Sequence, residues 1–292
     1  MTNTLIIDAS MVYAANNAKL GHLKTQDGFS TGAIYGSVRM IEAGIKNFKI
    51  DQAFLVYDAG GSTRKRSEVD AGYKSGREGN LVAIWADADQ QHRDHRSWFS
   101  DWAWERGISQ CHAAGYEADD VIAWLHRYWR TEDPDGVVRI MTRDHDMMAC
   151  LDDRTTMVWG KDVVAEMGTW KYPFSPSLYG MYLALAGDNT DAIRGVTTAQ
   201  RASELCVDYE NGQDFELSDE QEDLFLQNAK LAVMGCPHRP SIRPGNGSGI
   251  YDNVKDLFAE IEAPSLLKPY TDGKIIELEV NDVLDMETAR GS

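Results

Sequence analysis

Closely spaced cysteines and long apolar runs are both missing from the 292-residue sequence. Its four cysteines lie far apart without a Cys-x-x-Cys pair, which excludes a zinc knuckle and a disulfide framework and predicts buried, reduced thiols. No apolar run is long enough to cross a bilayer, and no charged-then-apolar segment opens the sequence. We therefore expect no membrane association and a cytoplasmic location.

Basic residues are also in deficit. The sequence has 29 lysines and arginines against 46 acidic residues, a formal net charge of -17. Phosphate binding normally needs a basic surface, so this balance argues against a protein that coats nucleic acid generally. It does not exclude a local basic strip, because the distribution of charge matters more than its sum. The length allows one large domain, or one domain with an appendage.

Several apolar segments are each followed within three residues by an acidic residue. The three segments are 5–7 before Asp8, 53–57 before Asp58, and 137–141 before Asp144 and Asp146. Stretches with helical spacing of apolar residues alternate with them, for example 32–48, and this alternation is typical of a parallel sheet. The carboxyl ends of parallel strands meet at one edge of the sheet, where such folds bind ligands. We therefore expect these acids to converge.

Two further groups of acids extend the set. Glu117, Asp119 and Asp120 open an apolar helical pattern, where the helix dipole favours them but their mutual repulsion requires a counter-ion. Asp188 and Asp191 follow the apolar stretch 178–186. A single acid in such a place is usually a turn residue or a helix cap, but this many together indicate a cation site. Oxygen ligands without histidine or cysteine favour magnesium or manganese over zinc.

A basic strip and an aromatic segment lie between the second strand and the acidic helix. The strip contains Arg64 and Arg66, followed by Tyr73, Lys74 and Arg77; it is either a solvated face or a phosphate-binding surface. Residues 79–106 carry five aromatic side chains among histidines and arginines. They form either an amphipathic helix packed on the core or a mobile cover that stacks single-stranded nucleic acid, and both interpretations stay open. His92 and His95 have helical spacing and could bind a metal ion, but a surface position is the expectation.

Four motifs together resemble the 5′-to-3′ exonuclease and flap endonuclease family of phages, of the N-terminal part of bacterial DNA polymerase I and of eukaryotic replication. They are Gly-Tyr-Glu-Ala-Asp-Asp at 115–120, Tyr-Lys-x-x-Arg at 73–77, Thr-Arg-Asp-His-Asp-Met at 142–147, and Gly-Asp-Asn-Thr-Asp-Ala-Ile-Arg-Gly-Val at 187–196. The resemblance implies a PIN-like α/β fold, with a mostly parallel twisted sheet flanked by helices. It places the nuclease domain at 1–186 with a helical arch at 79–106. Residues 187–292 would be a helical, DNA-binding region of helix-hairpin-helix type within the same globule.

The resemblance also assigns roles to individual residues. Two Mg²⁺ or Mn²⁺ ions would be held by Asp8, Asp58, Glu117, Asp119, Asp120, Asp144, Asp146, Asp188 and Asp191, with Asp144 and Asp146 also counted as catalytic. Asp8, Asp58, Glu117 and Asp119 are assigned to one ion and Asp144, Asp146, Asp188 and Asp191 to the other. Asp120 lies between the two groups. Lys74 would reach the scissile phosphate, Arg77 a second phosphate, and Tyr73 would stack on a base. Further DNA contacts are expected from Arg64, Arg66 and Arg201.

The segment 195–202 departs from the family pattern. It lacks the glycines of the family's helix-hairpin turn, so the K⁺ ion bound there in relatives has weaker support in this sequence. The function implied is a structure-specific nuclease that cuts DNA at 5′ ends and 5′ flaps by a two-metal-ion mechanism during phage-type replication. The alternatives are an RNA-cleaving nuclease on the same fold and a non-catalytic protein that binds DNA junctions. The strip at 73–77 favours a DNA end, and the retention of nine mutually repelling acids argues against binding alone.

Overall fold

The structure of the protein is a computed structural model that describes residues 1–59, 64–70, 90–246 and 250–272, together with Leu278. At 64–65, 90–92, 250–253 and 269 it describes the backbone course only. Tyr73, Lys74 and Arg77 of the basic strip, and residues 79–89 of the expected arch, lie outside the described residues. Their roles remain predictions.

A seven-stranded sheet runs through the molecule. Its strands are β1 (Asn3–Asp8), β2 (Gln52–Val56), β3 (Ser109–His112), β4 (Val137–Met141), β5 (Thr155–Trp159), β6 (Asp162–Ala165) and β7 (Ser241–Arg243). They are ordered β6-β5-β4-β1-β2-β3-β7. Strands β1 to β5 pair in parallel, while β6 and β7 are antiparallel at the two edges. The mostly parallel sheet predicted from the sequence is confirmed.

Helices cover both faces of this sheet. The described helices are α1 (Ala9–Leu20), α2 (Gly32–Phe48), α3 (Arg64–Val69), α4 (Gln90–Glu105), α5 (Ala118–Glu132), α6 (Tyr179–Ala186), α7 (Ala199–Glu210), α8 (Asp219–Ala232), α9 (Ile250–Glu260) and α10 (Pro264–Thr271). A 3₁₀ turn at His145–Cys150 follows β4. The apolar spacing predicted α2 and β4 with the boundaries they have in the structure.

Alternate residues of the central strands enter different cores, because successive side chains of a strand point to opposite faces. Leu5 and Ile7 of β1 join a core with α1, α2, α4, α9 and α10. Ile6, between them, joins the core under α5. Both faces of the sheet are therefore buried, which explains why its strands read as continuous apolar runs.

Described residues of the C-terminal region pack on the same sheet and core. Strand β7 pairs with β3, and Val254, Phe258 and Tyr270 of α9 and α10 lie in the core shared with β1 and α2. Helices α6 to α8 pack around smaller aromatic and aliphatic clusters that include Trp170 and Tyr172. The helix-hairpin-helix assignment for this region, and the K⁺ ion that goes with it, stay predictions.

The described part of segment 79–106 is packed on the core. Trp98, Phe99 and Trp102 of α4 are buried, and the rings of Phe99 and Trp102 stack with centroids 5.5 Å apart. Of the two interpretations left open by the sequence, the amphipathic helix describes this part. The surface position expected for His95 is wrong: its side chain is fully buried, with Nδ1 at 2.5 Å from the Tyr13 hydroxyl.

Two other expectations from the sequence concern cysteines and membranes. Cys111, Cys150, Cys206 and Cys236 are all buried free thiols, as predicted. Among the described helices, none combines the length and the apolar character needed to span a bilayer.

Candidate metal centre

The site begins at the centre of the sheet, where the chain order reverses between β1 and β4. Asp8 ends β1 and caps α1 by accepting a hydrogen bond from the Met11 N–H at 2.9 Å. The Thr142 hydroxyl, just after β4, donates to Asp8 Oδ2 at 3.2 Å. Burial and the charges of Asp58 and Asp144 raise the pKa of Asp8 to about 7, although these hydrogen bonds oppose the rise. Asp8 is therefore a buried acid whose charge these two hydrogen bonds compensate only in part.

Asp58, after β2, joins the neighbouring strand end to α5. Its Oδ2 accepts a hydrogen bond from the Ser10 hydroxyl at 2.5 Å, and its Oδ1 accepts one from the Ala118 N–H at 2.9 Å. The first residues of α1 and of α5 are thus both tied to the carboxylate of Asp58. This link brings the acidic start of α5 to the crevice that Asp8 lines.

Asp146 gathers the acids on the other side of the crevice. Asp144 caps the 3₁₀ turn by accepting from the Asp146 N–H at 3.0 Å. The carboxylate of Asp146 then meets those of Asp188 and Asp191, and one oxygen from each of the three lies within 4.8 Å of the others. Burial, followed by the charges of Asp144, Asp191, Asp119 and Asp188, raises the pKa of Asp146 to about 8.

The loop that carries Asp188 and Asp191 is a tight turn held from both sides. Gly187 has φ 79°, and an added Cβ there would lie 2.4 Å from the Gly195 nitrogen, so the position requires glycine. The backbones of Asp188 and Ile193 exchange two hydrogen bonds of 2.9 and 2.8 Å. Buried Asn228 of α8 donates to the carbonyls of Ala184 and Arg194 at 2.8 and 2.7 Å. These contacts fix where the two acids lie.

Arg66 of α3 is buried against the acids of α5. Its Nη1 forms ion pairs with Glu117 and, at 3.1 Å, with Asp119, and its Nη2 pairs with Asp120 at 2.8 Å. Asp120 also accepts hydrogen bonds from the N–H groups of Gly235 at 2.9 Å and Glu117 at 3.3 Å. Burial and the charge of Asp119 nevertheless raise the pKa of Asp120 to about 6. Arg66, expected from the sequence to contact DNA, lies inside the acidic site instead.

These acids are electrostatic neighbours of one another. Asp8 interacts with Asp58 and Asp144, and Asp146 interacts with Asp144, Asp119, Asp188 and Asp191. The donor set consists of carboxylate oxygens, which suit hard divalent cations such as Mg²⁺ and Mn²⁺. Mutual repulsion contributes to the raised pKa values of Asp8, Asp120 and Asp146, and a cation held between these carboxylates would relieve it, so these residues fit a bound cation. How the acids divide between two ions stays a prediction.

The remaining predicted DNA contacts lie elsewhere or outside the described residues. Arg201 is on α7, exposed, and paired with Glu204 at 3.0 Å. The side chain of Arg64 is outside the described residues. Arg201 therefore stays accessible to a DNA backbone, whereas Arg66 does not in this conformation.

Sequence reasoning assigned no site role to three residues that position the acids. Ser10 and Thr142 donate to Asp58 and Asp8, and both lie within two residues of a strand-end acid, which is the signal that could have found them. Asn228 is 34 residues away from the loop that it holds. A lone asparagine in a helical pattern gives no such signal.

Comparison with known proteins decides the family. Residues 3–172 match the family model described as the 5′-3′ exonuclease N-terminal resolvase-like domain. The chain belongs to this family. The match spans β1 to β6 and includes seven of the nine predicted metal ligands. Six of them lie after strands or at the start of α5, and the seventh is Asp146. Asp188 and Asp191 lie beyond the match.

Two relatives of the 5′-3′ exonuclease family illustrate the extent of the similarity. DNA polymerase I of Lactococcus lactis subsp. cremoris is 29% identical over 204 residues, which cover 66% of this chain and 22% of the polymerase. The 5′-3′ exonuclease of Aquifex aeolicus is 29% identical over 203 residues, which cover 67% of this chain and 65% of that protein. The chain thus spans about a fifth of the DNA polymerase I relatives that it matches.

Solved structures of the bacteriophage T5 D15 protein share the fold. The D15 protein co-crystallised with metal ions has a TM-score of 0.55 and 16% identity, covering 91% of this chain and 98% of the other. The D15 flap endonuclease in a complex with DNA and metal ions has a TM-score of 0.55 and 15% identity, covering 92% and 98%. The PIN-like architecture predicted from the sequence is thereby confirmed.

Proposed function

We propose that this protein is a metal-dependent 5′ nuclease, which hydrolyses DNA phosphodiester bonds at free 5′ ends and 5′ flaps by a two-metal-ion mechanism during phage-type replication in the cytoplasm. The observation that carries the proposal is the convergence of carboxylates from separate elements on one crevice. The clearest part is Asp146, Asp188 and Asp191, whose oxygens lie within 4.8 Å. The family match and the metal and DNA complexes of the T5 relative support it.

The chain's own residues divide into holding and orienting groups. Asp146, Asp188 and Asp191 would hold one Mg²⁺ or Mn²⁺ ion, together with Asp144; Asp8, Asp58, Glu117 and Asp119 would hold the other. When bound, the ions lower the pKa of the attacking water and neutralise charge on the phosphate. Ser10, Thr142 and Asn228 orient the acids through the hydrogen bonds described above. Lys74 would add positive charge where the transition state becomes more negative.

Substrate choice would depend on shape. The residues predicted to face DNA are the basic Arg64, Lys74, Arg77 and Arg201 and the aromatic Tyr73. Their side chains bind phosphates or stack on bases and carry no information about base sequence. The net charge of -17 leaves little general attraction for duplex. We therefore expect cleavage to depend on a 5′ end or a single-strand/duplex junction, and binding to plain duplex to be weak and to fall further with added salt.

One incubation tests the proposal against an RNA-cleaving nuclease. A 5′-labelled flap duplex, a blunt duplex and a single-stranded RNA are each mixed with the protein in Mg²⁺, in Mn²⁺ or in EDTA. Release of short 5′ products from the flap in either metal, and its absence in EDTA, is the expected result. Cleavage of RNA with inert DNA would refute the choice of substrate.

A second experiment separates catalysis from binding. Asp144→Asn keeps a side chain that can cap the 3₁₀ turn but removes a charge from the site. We expect it to abolish cutting while junction binding, measured by fluorescence anisotropy, stays near that of the wild type. The matched control is Asp153→Asn, because Asp153 is exposed and nine residues further along, and it should leave both unchanged. Equal loss of binding and cutting would contradict a catalytic role for Asp144.

A further inference from the structure

The guanidinium of Arg66 occupies a place among acids that the proposed function assigns to a metal ion. It contacts Glu117 and Asp119 through Nη1 and Asp120 through Nη2. All four side chains are largely buried, with side-chain exposures of 8, 6, 14 and 7% for Arg66, Glu117, Asp119 and Asp120. Because a guanidinium stays charged at every accessible pH, Arg66 offsets part of this negative charge permanently.

Two of these carboxylates have hydrogen-bond donors besides Arg66. The Asp120 N–H donates to Asp119 Oδ1 at 2.7 Å, and the Glu117 N–H donates to Asp120 Oδ2 at 3.3 Å. The Ala118 N–H anchors the same turn to Asp58 at 2.9 Å. The backbone at the start of α5 therefore helps to hold Asp119 and Asp120, and Arg66 adds positive charge to the group.

We propose that Arg66 is an internal counter-ion that competes with divalent ions for Glu117 and Asp119. In the ion-free protein it stabilises the start of α5, and it lowers the affinity for the ion that shares those two acids. By linkage, whatever stabilises the ion-free state more than the ion-bound state weakens ion binding by the same factor. This inference rests on the proposed function, because it requires that ions bind these acids.

Arg66 would stay paired with Asp120 when an ion binds Glu117 and Asp119. Its Oδ1 is held between Arg66 Nη2 and the Gly235 N–H, on the side of the α8–β7 connection. A metal ion at Glu117 and Asp119 would repel the guanidinium toward Asp120 without displacing Asp120 itself. Asp120 then acts as a positioning residue for Arg66, which differs from the metal ligand that the sequence predicts.

If Arg66 instead supported ion binding, its removal would change the ion affinity in the opposite direction. If Arg66 mainly oriented Glu117 and Asp119 for the ion, then removing it would weaken ion binding, as the loss of groups that orient metal ligands usually does. If it competes, removing it tightens binding while the ion-free protein becomes less stable. The direction of the change in affinity therefore separates the two roles, whereas a loss of stability alone does not.

The test compares Arg66→Gln with the wild-type full chain by calorimetric titration with Mn²⁺ and by thermal unfolding in EDTA. We expect Arg66→Gln to bind Mn²⁺ about tenfold more tightly, the scale of one charge-assisted contact released. Its Tm in EDTA should fall by about 5 °C. Arg130→Gln is the matched control, since Arg130 pairs with Asp152 at 2.9 Å; it should lower the Tm with no change in Mn²⁺ affinity.

Arg66→Lys covers the case in which the glutamine variant does not fold. A lysine keeps the charge but forms fewer simultaneous contacts with the three acids, so its Mn²⁺ affinity should exceed that of the wild type by a few-fold. Unchanged or weaker Mn²⁺ binding by the folded variant overturns the counter-ion role while leaving the proposed function intact. Absence of Mn²⁺ binding by the wild type would overturn both.

Discussion

Neutralising Asp8 should stabilise the ion-free protein while it removes metal-dependent activity. In Asp8→Asn, the amide oxygen can still accept from the Met11 N–H, and the NH₂ group can donate to the Thr142 hydroxyl, so both hydrogen bonds seen in the structure have a replacement. What the substitution removes is the charge that is crowded by Asp58 and Asp144. For folding of the ion-free protein alone, asparagine at position 8 is therefore more favourable than aspartate.

The magnitude follows from the pKa of Asp8, which burial raises from 3.8 to about 7. In the folded protein Asp8 keeps its proton up to that pH, whereas in the unfolded chain it loses the proton near pH 3.8. The contribution of protonated Asp8 to the free energy of unfolding is therefore complete below pH 3.8 and is lost as the pH rises through 7. With about 1.4 kcal/mol per pH unit, Asp8→Asn should exceed the wild type by roughly 4 kcal/mol at pH 8 and by roughly 1.5 kcal/mol at pH 5.

The assay is urea unfolding in EDTA at pH 5 and pH 8, followed by tryptophan fluorescence. The control is Asp152→Asn: although partial burial acts to raise the pKa of Asp152, hydrogen bonds from His126 and the Arg154 N–H and the charge of Arg130 lower it. That substitution should destabilise the protein at both pH values, because Asp152 is ionised and paired at both. If Asp8→Asn is no more stable than the wild type at pH 8, or if its advantage does not shrink at pH 5, the account of crowded buried charge is refuted.

Three further predictions concern the same site. Asn228→Leu leaves two carbonyls without their donor and should lower the free energy of unfolding by about 2–4 kcal/mol. It should also weaken Mn²⁺ binding, because the loop of Asp188 becomes looser. The measurements are urea unfolding and calorimetry, with Asn211→Leu, at an exposed asparagine, as the control. Lys74→Ala should lower kcat by about 10²-fold with little change in Mn²⁺ affinity; an equal fall in affinity would contradict its role at the phosphate. At limiting Mg²⁺, cleavage should rise between pH 6 and 8, because Asp8 and Asp146, with pKa values raised to about 7 and about 8, must lose protons to bind the ion; a flat profile would argue against both as ligands.

The sequence predicted the elements that carry strong apolar patterns and missed those that depend on partners distant in the chain. Helix α2 and strand β4 were predicted with their observed bounds, because α2 has seventeen residues with apolar positions at helical spacing and β4 is a five-residue, mainly apolar run. Strands β3 and β7 are only four and three residues long, and they exist through pairing with each other and with β2. Short strands of this kind are specified by tertiary contacts more than by their own residues.

The acids of the site were predictable from the sequence, but their relation to the basic residues was not. Asp8, Asp58 and Asp144 follow strand ends and Glu117 opens α5, so the topology of a parallel sheet brings these acids together, while Asp188 and Asp191 come from the loop after α6. Arg66 was grouped with Arg64 because the two are neighbours in a basic stretch, yet Arg66 faces the interior and pairs with acids more than fifty residues later. Which way a side chain of a six-residue helix points depends on packing that local sequence does not encode.

The capping and metal-binding interpretations of these acids, which are alternatives at the level of sequence, are compatible with each other in the structure. Asp8 caps α1, Asp144 caps the 3₁₀ turn, and Asp188 accepts from the Thr190 N–H at 2.7 Å. Each uses Oδ1 for the backbone contact. Because a carboxylate has about four lone-pair sites, a cap holds the group in place and leaves capacity for a cation. The same hydrogen bonds that end one element and begin the next therefore set the geometry of the site before an ion arrives.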